Sequence, residues 1–352
     1  MGLKLELLFI GELAAFRKNK IMSKKINWGI IGLGKIANKF AADLQLSKNS
    51  QLYGVASREI TKAKNFSIKY NSIKYYGSYG ELADDSEIDI IYVATPHTFH
   101  FENTMMCLKK DKAVLCEKPM GINAEEVNIM IEEAKFRKLF LMEGIWTRFI
   151  PATEKLIEIL KKKIIGDVLF IRADFGFKGD SNLESRVYNK KLGGGALLDI
   201  GIYPIYLSLL TLGVPIDIKV MARMAETGVD SYCSMLFNYE NGAKANLEST
   251  IEAETPTEAF IYGSNGTLKL HSRFHHTEKI TILRNGEKKL LNIKYKGNGY
   301  IYEIEEVNKC LLNQEIESSK LRLNTSIDLI SLIDKVKEKI GLKYENKTAT
   351  KY

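Results

Sequence analysis

A short glycine-rich turn near the amino terminus constrains the fold more than any other part of this chain. Residues 26–31 read Ile-Asn-Trp-Gly-Ile-Ile, an apolar run typical of a buried parallel strand. Gly32-Leu33-Gly34-Lys35-Ile36-Ala37 follows directly, and residues 35–46 then carry apolar side chains at helical spacing. A strand, a tight glycine turn and a helix in this order predict the first unit of a doubly wound α/β sheet.

The same turn is suited to holding the pyrophosphate of a dinucleotide. Gly32 permits the turn, Gly34 lets the backbone approach the phosphates, and Ala37 allows the helix to pack closely on the strand. Amides at the helix N-terminus, around Lys35 and Ile36, would then face the phosphates. A glycine turn without a ligand is the alternative, because the pattern is weak when it stands alone.

The end of the second predicted strand, 51–56, bears on which dinucleotide binds. Many NAD-binding enzymes have an acidic residue there for the ribose hydroxyl. Ser57 and Arg58 stand in that place, with Lys62 one turn further along. A guanidinium can pair with a 2′-phosphate in bidentate fashion, so the sequence predicts a preference for NADP while still allowing NAD. A solvated surface arginine is the alternative interpretation of Arg58.

Composition bounds the class of protein. The 352 residues are 45% hydrophobic and 27% charged, which suits two domains with full cores. The four cysteines lack metal-ligand spacing, and we expect free thiols in a reducing cytoplasm. The net charge of +8 can attract a phosphorylated cofactor, but the sequence predicts no nucleic-acid recognition fold. No apolar run approaches bilayer-spanning length, so we expect neither nucleic acid nor membrane as a partner.

Residues 1–23 are predicted to be an extension outside the fold. Residues 3–16 are apolar with Glu6 and Glu12 inside them, and they lack the basic start, uninterrupted apolar core and cleavage site of a signal peptide. Met22 directly precedes the first predicted strand, and we expect it to be the natural start. An N-terminal helix that packs on a neighbouring molecule is the alternative.

The first half of the chain alternates strand and helix signals. Predicted strands cover 26–32, 51–56, 89–94, 112–116 and 139–143, and predicted helices cover 35–46, 59–70, 100–110 and 123–137. This alternation predicts a doubly wound parallel sheet, and hence a Rossmann domain over 24–145.

The pattern changes after Pro151. Helices are predicted at 152–162, 193–212, 300–313 and 322–340, and β-like runs at 168–177, 217–225, 230–239, 243–252 and 257–271. Asn-Gly turns separate or follow several of these runs. The second domain, 146–342, is therefore predicted to be α+β with a mostly antiparallel sheet, and 343–352 to be a tail.

Several segments together resemble one known family, the glucose–fructose oxidoreductase/inositol dehydrogenase (Gfo/Idh/MocA) family. They are the glycine loop at 32–37, Pro96-His97, Glu117-Lys118-Pro119, and the stretches 143–149, 193–204 and 299–303. The resemblance covers about 24–342 and is greatest to the dimeric dihydrodiol dehydrogenase and NADP-dependent D-xylose dehydrogenase branch. It implies a Rossmann domain and an open-faced sheet with the active site between them. It also implies a homodimer through the open sheet face.

The resemblance implies roles for three residues. Lys118, the lysine of the family's Glu-Lys-Pro motif, is expected near the substrate hydroxyl and the nicotinamide. Tyr203 stands where many sugar and inositol relatives have histidine, and its phenol can donate a proton to a carbonyl. The Lys118 ammonium is expected to lower the pKa of Tyr203. Asp199 shares a helix face with Tyr203 and is expected to orient the substrate or the lysine. A packed tyrosine with a satisfied hydroxyl is the alternative.

Further residues are predicted to line the cleft. Trp146 and Arg148 follow the last strand of the first sheet, where ligands collect; the aromatic face suits a sugar or diol ring, and arginine suits hydroxyls. Core at the domain boundary is the alternative for Trp146. The predicted cofactor contacts are Gly32, Gly34, Lys35, Ile36, Ser57, Arg58, Thr95, Pro96, His97, Glu117 and Lys118. The predicted substrate contacts are Lys118, Trp146, Arg148, Asp199 and Tyr203.

No metal site is predicted. His97 and His100 have no convergent carboxylate or cysteine in the sequence pattern. The adjacent His275 and His276 would point to opposite sides of a strand. The Lys118 and Tyr203 pair can polarise a carbonyl without a metal.

These features predict a cytoplasmic NAD(P)-dependent dehydrogenase acting on a secondary alcohol of a sugar or cyclic diol. The nicotinamide carries the hydride chemistry, and the protein supplies orientation and charge. A non-catalytic NAD(P)-binding regulator is one alternative, against which the intact Lys118, Asp199 and Tyr203 argue. A glycosidase of the same fold that uses NAD transiently is the other.

Overall fold

The computed structural model describes residues 25–180 and 182–345. The predicted extension 1–23, the proposed start at Met22 and most of the predicted tail lie outside these residues. Within them, the chain forms two sheets, one parallel and one mostly antiparallel.

The first sheet is parallel and carries the glycine turn. Its strands run in the spatial order β3-β2-β1-β4-β5-β6. They are β1 Ile26–Ile31, β2 Ser50–Ala56, β3 Lys74–Tyr76, β4 Ile90–Val93, β5 Ala113–Glu117 and β6 Leu141–Gly144. The helices between them are α1 Lys35–Leu44, α2 Ile60–Tyr70, α3 Tyr79–Asp84, α4 His100–Lys109 and α5 Ala124–Arg137. The predicted doubly wound sheet is confirmed. The short β3 and α3 were not predicted, because neither is long enough to show a period.

The strand order reverses between β1 and β4, which places a crevice at their carboxyl ends. Gly32 lies in this crevice with φ +83°, and a Cβ on it would lie 2.5 Å from the carbonyl carbon of Ala94. Only glycine therefore fits at this position. The turn that the sequence singles out is thus also where β1 and β4 approach each other most closely.

The second sheet runs in the order β14-β13-β12-β11-β7-β10-β9-β8. Its strands are β7 Val168–Gly176, β8 Asp217–Met224, β9 Asp230–Asn238, β10 Lys244–Thr250, β11 Ala259–Gly263, β12 Gly266–Leu270, β13 Lys279–Arg284 and β14 Glu287–Asn292. Among the described strands of this second sheet, only the β7–β10 pair is parallel. The single run predicted at 257–271 is two strands, because the chain reverses at Ser264-Asn265.

One face of the second sheet is covered and the other is open. The remaining helices are α6 Pro151–Lys161, α7 Ile202–Leu212, α8 Ile301–Leu312 and α9 Leu323–Ile340, and a π-helical turn over Leu197–Gly201 leads into α7. This turn and α7 pack on β7 and β10. The opposite face carries exposed Met221, Leu236, Leu283 and Leu290. The expected open-faced sheet is confirmed.

The segment Lys190–Leu212 has the length and mean hydropathy, 1.6, of a bilayer-spanning helix. This corrects the expectation that no apolar run approaches that length. Most of the segment is buried within the protein, because the second sheet covers it. A core helix accounts for its composition.

The C-terminal helices return to the first domain. The Trp28 indole in β1 donates to Asn308 Oδ1 in α8 at 3.0 Å. Helix α9 packs against α5 and β6 on one side and against α7 and β8 on the other. The two sheets are therefore joined by more than the chain connection near residue 150.

A buried carboxylate on α1 anchors the segment that leads into α8. Asp43 accepts hydrogen bonds from the backbone amides of Asn298 and Tyr300, both at 2.8 Å, and of Ile301 at 3.2 Å. These amides open α8, where a negative charge is favourable. Gly297 has φ +63°, and a Cβ there would lie 2.4 Å from the Asp43 carboxylate. We call residues 297–301 the Asp43-bound loop.

Asp43→Ala should lower the free energy of unfolding by about 3 kcal/mol, because it leaves several buried amides without an acceptor. Urea unfolding followed by circular dichroism measures this loss. Asp217→Ala is the control, since Asp217 is exposed and its bond to the half-buried Asn238 side chain lies at the surface; it should change stability by about 0.5 kcal/mol or less. Equal effects of the two changes would contradict the anchoring role of Asp43.

Candidate active site

The glycine turn has the shape of a phosphate cradle. Around Gly34 no atom lies within 4 Å of a built Cβ, so a ligand can approach the backbone. Lys35 and Ile36 are exposed at the start of α1, and the first turn has no acidic residue and no side-chain cap. Free amides beside a lysine suit a pyrophosphate. The residues present fit the predicted dinucleotide.

An exposed arginine follows β2 at the carboxyl-terminal edge of the first sheet. Arg58 is exposed, whereas Ser57 is buried and its hydroxyl accepts from the Glu59 amide at 3.2 Å. Burial raises the pKa of Tyr79, and the Arg58 charge partly opposes that rise. Arg58 therefore lies near the start of α3, which the sequence analysis did not foresee.

The loop after β4 is held from two sides. His97 is buried, and its Nδ1 lies 2.8 Å from the Gly193 carbonyl oxygen. The ring nitrogens of His100 lie 2.7 Å from the carbonyl oxygens of Thr95 and Pro119. Burial lowers the pKa of His97 to about 3, so this ring is neutral. His100 thus joins the Thr95 to His97 loop to the Glu-Lys-Pro turn, a role that the sequence did not reveal.

The lysine after β5 reaches across to the second domain. Lys118 Nζ donates to the Asp199 carbonyl and lies 3.4 Å from Asp199 Oδ1. Neither side chain is more than 13% exposed. The structure thus brings together two of the three residues predicted to be catalytic, one from each domain.

Asp199 lies between two cations, Lys118 and Arg186, and beside the neutral ring of His97. Arg186 donates to its Oδ2 at 2.7 Å, and His97 Nε2 lies 3.9 Å from its Oδ1. Burial alone would raise the pKa of Asp199, but Lys118 and then Arg186 outweigh it and hold that pKa well below its usual range. The carboxylate is therefore charged at neutral pH. Arg186 was not predicted to belong to the site, because it lies in a loop without periodic pattern.

Tyr203 completes the site from α7. Lys118 Nζ lies 5.1 Å from the centre of the Tyr203 ring, so the ammonium faces the ring. Burial first, and the Glu117 charge second, raise the pKa of Tyr203 well above its usual value. The expectation that Lys118 lowers this pKa was wrong, because desolvation dominates. Tyr203 is therefore a neutral phenol at physiological pH and holds a proton.

Glu117 points into the first domain. Its Oε1 accepts from the Tyr92 hydroxyl and its Oε2 accepts from the Lys118 amide at 3.2 Å. Burial raises its pKa. The Glu117 carboxylate thus holds the Lys118 backbone from the side of the first domain. In the sequence analysis Glu117 was grouped with the cofactor contacts.

Trp146 lies beside Tyr203 with both ring faces covered. Tyr300 stacks on the indole at 4.8 Å between ring centres and His276 at 5.2 Å. A sugar or diol ring therefore has no free indole face to pack on. The positions that the sequence analysis assigned to a substrate ring are taken by the Asp43-bound loop and the turn Phe274–His276.

Arg148 is turned away from the site. Its Nε donates to the Lys320 carbonyl at 3.0 Å and its Nη1 to Glu154 at 3.1 Å. The 3-10 turn Trp146–Arg148 sends the two side chains in different directions. The predicted grouping of Arg148 with the substrate residues is therefore not observed.

The adjacent histidines lie in the turn Phe274–His276 and not in a strand. His275 is buried and its ring lies 4.7 Å from the Tyr203 ring, centre to centre. No group of three or more His, Cys, Asp or Glu side chains within residues 25–180 and 182–345 is arranged to hold a metal ion.

Comparison with known proteins agrees with this geometry. The model of the oxidoreductase family with an NAD-binding Rossmann fold, Gfo/Idh/MocA, matches residues 26–145, and the model of that family's C-terminal domain matches residues 153–269. The chain therefore belongs to the Gfo/Idh/MocA family of oxidoreductases.

Relatives within the family carry one recurring name. Trans-1,2-dihydrobenzene-1,2-diol dehydrogenase of Xenopus tropicalis is 38% identical over 329 residues, which span 90% of this chain and 98% of the relative. The Homo sapiens protein of that name is 36% identical over 333 residues, covering 91% and 98%. The predicted resemblance to this branch is confirmed.

Two solved structures share the fold. A 3-ketoreductase from Actinomadura kijaniata in complex with NADP and TDP-benzene has a TM-score of 0.82 at 25% identity, covering 90% of this chain and 98% of its own. An aldose-aldose oxidoreductase from Caulobacter crescentus has a TM-score of 0.82 at 21% identity, covering 90% and 97%. The second likeness concerns the fold alone.

Asp199→Asn should lower the free energy of unfolding at pH 7 by about 3 kcal/mol, because it leaves the buried Lys118 charge uncompensated. The folded-state pKa of Asp199 is depressed, so its contribution is present above the unfolded value near 3.8 and lost as pH falls below it. The difference between the two proteins should therefore shrink towards pH 3. Urea unfolding at both pH values measures it.

Arg223→Gln is the matched control, since it removes an ion pair with Glu252 whose arginine is exposed. Such a pair contributes about 1 kcal/mol or less. A loss for Asp199→Asn no larger than this control would show that the Lys118 pairing does not hold the site together.

Proposed function

We propose that this protein is an NADP-preferring dehydrogenase that oxidises a secondary alcohol of a cyclic trans-diol or a sugar and reduces the corresponding carbonyl. The observation that carries this proposal is the meeting of Lys118 from the first domain with Asp199 and Tyr203 from the second. These groups gather beside the crevice that holds the glycine turn. The name of the relatives supports the diol class, and the family resemblance described in the sequence analysis supports the sugar class.

The cofactor site is assigned to residues on the crevice. Gly32, Gly34 and the start of α1 would hold the pyrophosphate, and Arg58 would pair with a 2′-phosphate. His97 and Pro96 would flank the nicotinamide end. When bound, the nicotinamide supplies the hydride acceptor or donor.

Tyr203, Lys118 and Asp199 have different roles in the proton transfer to and from the substrate oxygen. Tyr203 is a neutral phenol, so it can give its proton to a substrate carbonyl oxygen during reduction and becomes a phenolate. In the oxidation direction this phenolate takes the proton of the substrate hydroxyl and becomes the neutral phenol again. The Lys118 ammonium stabilises negative charge on that oxygen. Asp199 fixes Lys118 in place through the contact described above. Arg186 donates a hydrogen bond to the other carboxylate oxygen of Asp199.

A homodimer through the open sheet face is part of this proposal. Exposed Met221, Leu236, Leu283 and Leu290 lie on that face, and exposed apolar side chains grouped on one surface mark interaction sites. Sedimentation equilibrium of the purified protein measures the oligomeric state. A monomer at all concentrations would contradict the dimer and leave the chemistry unaffected.

Arg58→Asp should weaken NADP binding about a hundredfold and leave NAD binding within a few fold, because only the 2′-phosphate loses its partner. Fluorescence titration with both reduced cofactors measures the two dissociation constants. Lys64→Asp is the control for surface charge, since Lys64 is an exposed residue of the adjacent α2. Equal affinity of the unmutated protein for NADP and NAD would overturn the preference.

Lys118→Ala and Tyr203→Phe should each lower kcat about a hundred- to ten-thousandfold, as is typical for loss of acid–base groups. The assay follows NADPH formation from trans-1,2-dihydrobenzene-1,2-diol and from D-xylose. Cofactor titration checks that the pyrophosphate site survives. Near-normal kcat in both variants would show that the proton path is wrong. Tight NADP binding with no turnover in a broad panel of diols and sugars would favour a non-catalytic regulator.

A further inference from the structure

The hydroxyl of Tyr203 has a hydrogen-bond donor that the proposed proton path does not use. The Trp146 indole nitrogen lies 2.9 Å from the Tyr203 hydroxyl oxygen. An indole N–H can only donate. The Tyr203 oxygen must therefore accept in this bond, which leaves its own hydrogen for a different acceptor.

The indole is fixed in this position by packing on several sides. Tyr300 and His276 cover its two faces. At its edge, a Cβ on Gly299 would lie 2.8 Å from Trp146 Cζ3, and Gly299 has φ +98°. The Trp146 residue as a whole is 8% exposed. A ring held in this way keeps one orientation, so the direction of its N–H is set before any substrate arrives.

This packing leads back to the cofactor helix. Gly299 and Tyr300 belong to the Asp43-bound loop, and Asp43 lies on α1, the helix that follows the glycine turn. A continuous series of contacts thus runs from α1 through the loop and the indole to the phenol. The motif at 299–303, for which the sequence analysis found no chemical role, supplies its central part.

We propose that Trp146 is a positioning residue for Tyr203: its indole N–H occupies one lone pair of the phenolic oxygen and so turns the phenolic hydrogen towards the substrate oxygen. The proposal rests on the proposed function of Tyr203 as the proton donor. It replaces the expectation that Trp146 packs on the substrate. Because Trp146 acts only through Tyr203, its effect on turnover must vanish when the hydroxyl is absent.

A double-mutant cycle tests this dependence. Trp146→Phe should lower kcat about tenfold, the amount expected for one buried hydrogen bond, with KM and the NADP dissociation constant unchanged within about twofold. In the Tyr203→Phe background, Trp146→Phe should cause no further loss. Additive losses would show that Trp146 acts independently of the hydroxyl and would overturn the proposal. A full kcat in Trp146→Phe would overturn it as well.

Two further variants separate positioning from general damage. Trp28→Phe is the matched control, because Trp28 is the other tryptophan of the chain and its buried indole also donates one hydrogen bond, to Asn308. It should lower the melting temperature without lowering kcat. Gly299→Ala displaces the indole while keeping it, and should reproduce the tenfold loss in kcat only when the Tyr203 hydroxyl is present.

Indole N–H resonances give a readout that does not depend on turnover. The two tryptophans should give two such signals in a nitrogen–proton correlation spectrum. Tyr203→Phe should shift the Trp146 signal and speed its exchange with solvent, while the Trp28 signal stays in place. An unmoved Trp146 signal would overturn the hydrogen bond itself. Normal kcat in Tyr203→Phe with a shifted signal would instead show that the proposed function of Tyr203 is wrong.

Discussion

The contact between Lys118 and Asp199 is the interaction on which the site depends. Each residue comes from a different domain, and neither charge is tolerable alone in so buried a place. Their contact joins the end of β5 to the second domain and places the Lys118 ammonium against the Tyr203 ring. Arg186 and His97 lie against the same carboxylate. The Asp199 anion is therefore shared among three neighbours, Lys118, Arg186 and His97.

The sequence predicted the fold well wherever apolar residues recur at helix or strand spacing, or where a turn residue marks the end of an element. The strands of the parallel sheet show as short apolar runs, and Gly32 marks the crevice because no other residue fits beside Ala94. Strand β3 and helix α3 were missed because three to six residues cannot show a period. The run at 257–271 was predicted as one strand, although it contains the Asn-Gly pair at residues 265 and 266, a hairpin signal that marks the observed reversal.

For the site, the sequence could name residues but not the directions of their side chains. Lys118, Asp199 and Tyr203 meet as the family resemblance implies. The environments of Trp146 and Arg148 were not predictable, because residues more than a hundred positions away, Tyr300 and Lys320, decide what each side chain contacts. The pKa of Tyr203 was predicted in the wrong direction for a related reason. A sequence motif shows which charges are near, but the loss of solvent around a side chain depends on how the folded chain packs.

The return of α8 to the first sheet means that the cofactor domain is not a continuous stretch of chain. Its wall beside Trp28 is built from residues near 308, which are made after all strands of the second sheet. During synthesis, the Rossmann sheet therefore leaves the ribosome with one flank uncovered and cannot be completed until the C-terminal helices emerge. A fragment that ends at the apparent boundary near residue 145 would expose that flank permanently, so a graft of this cofactor domain onto another protein would have to carry α8 with it.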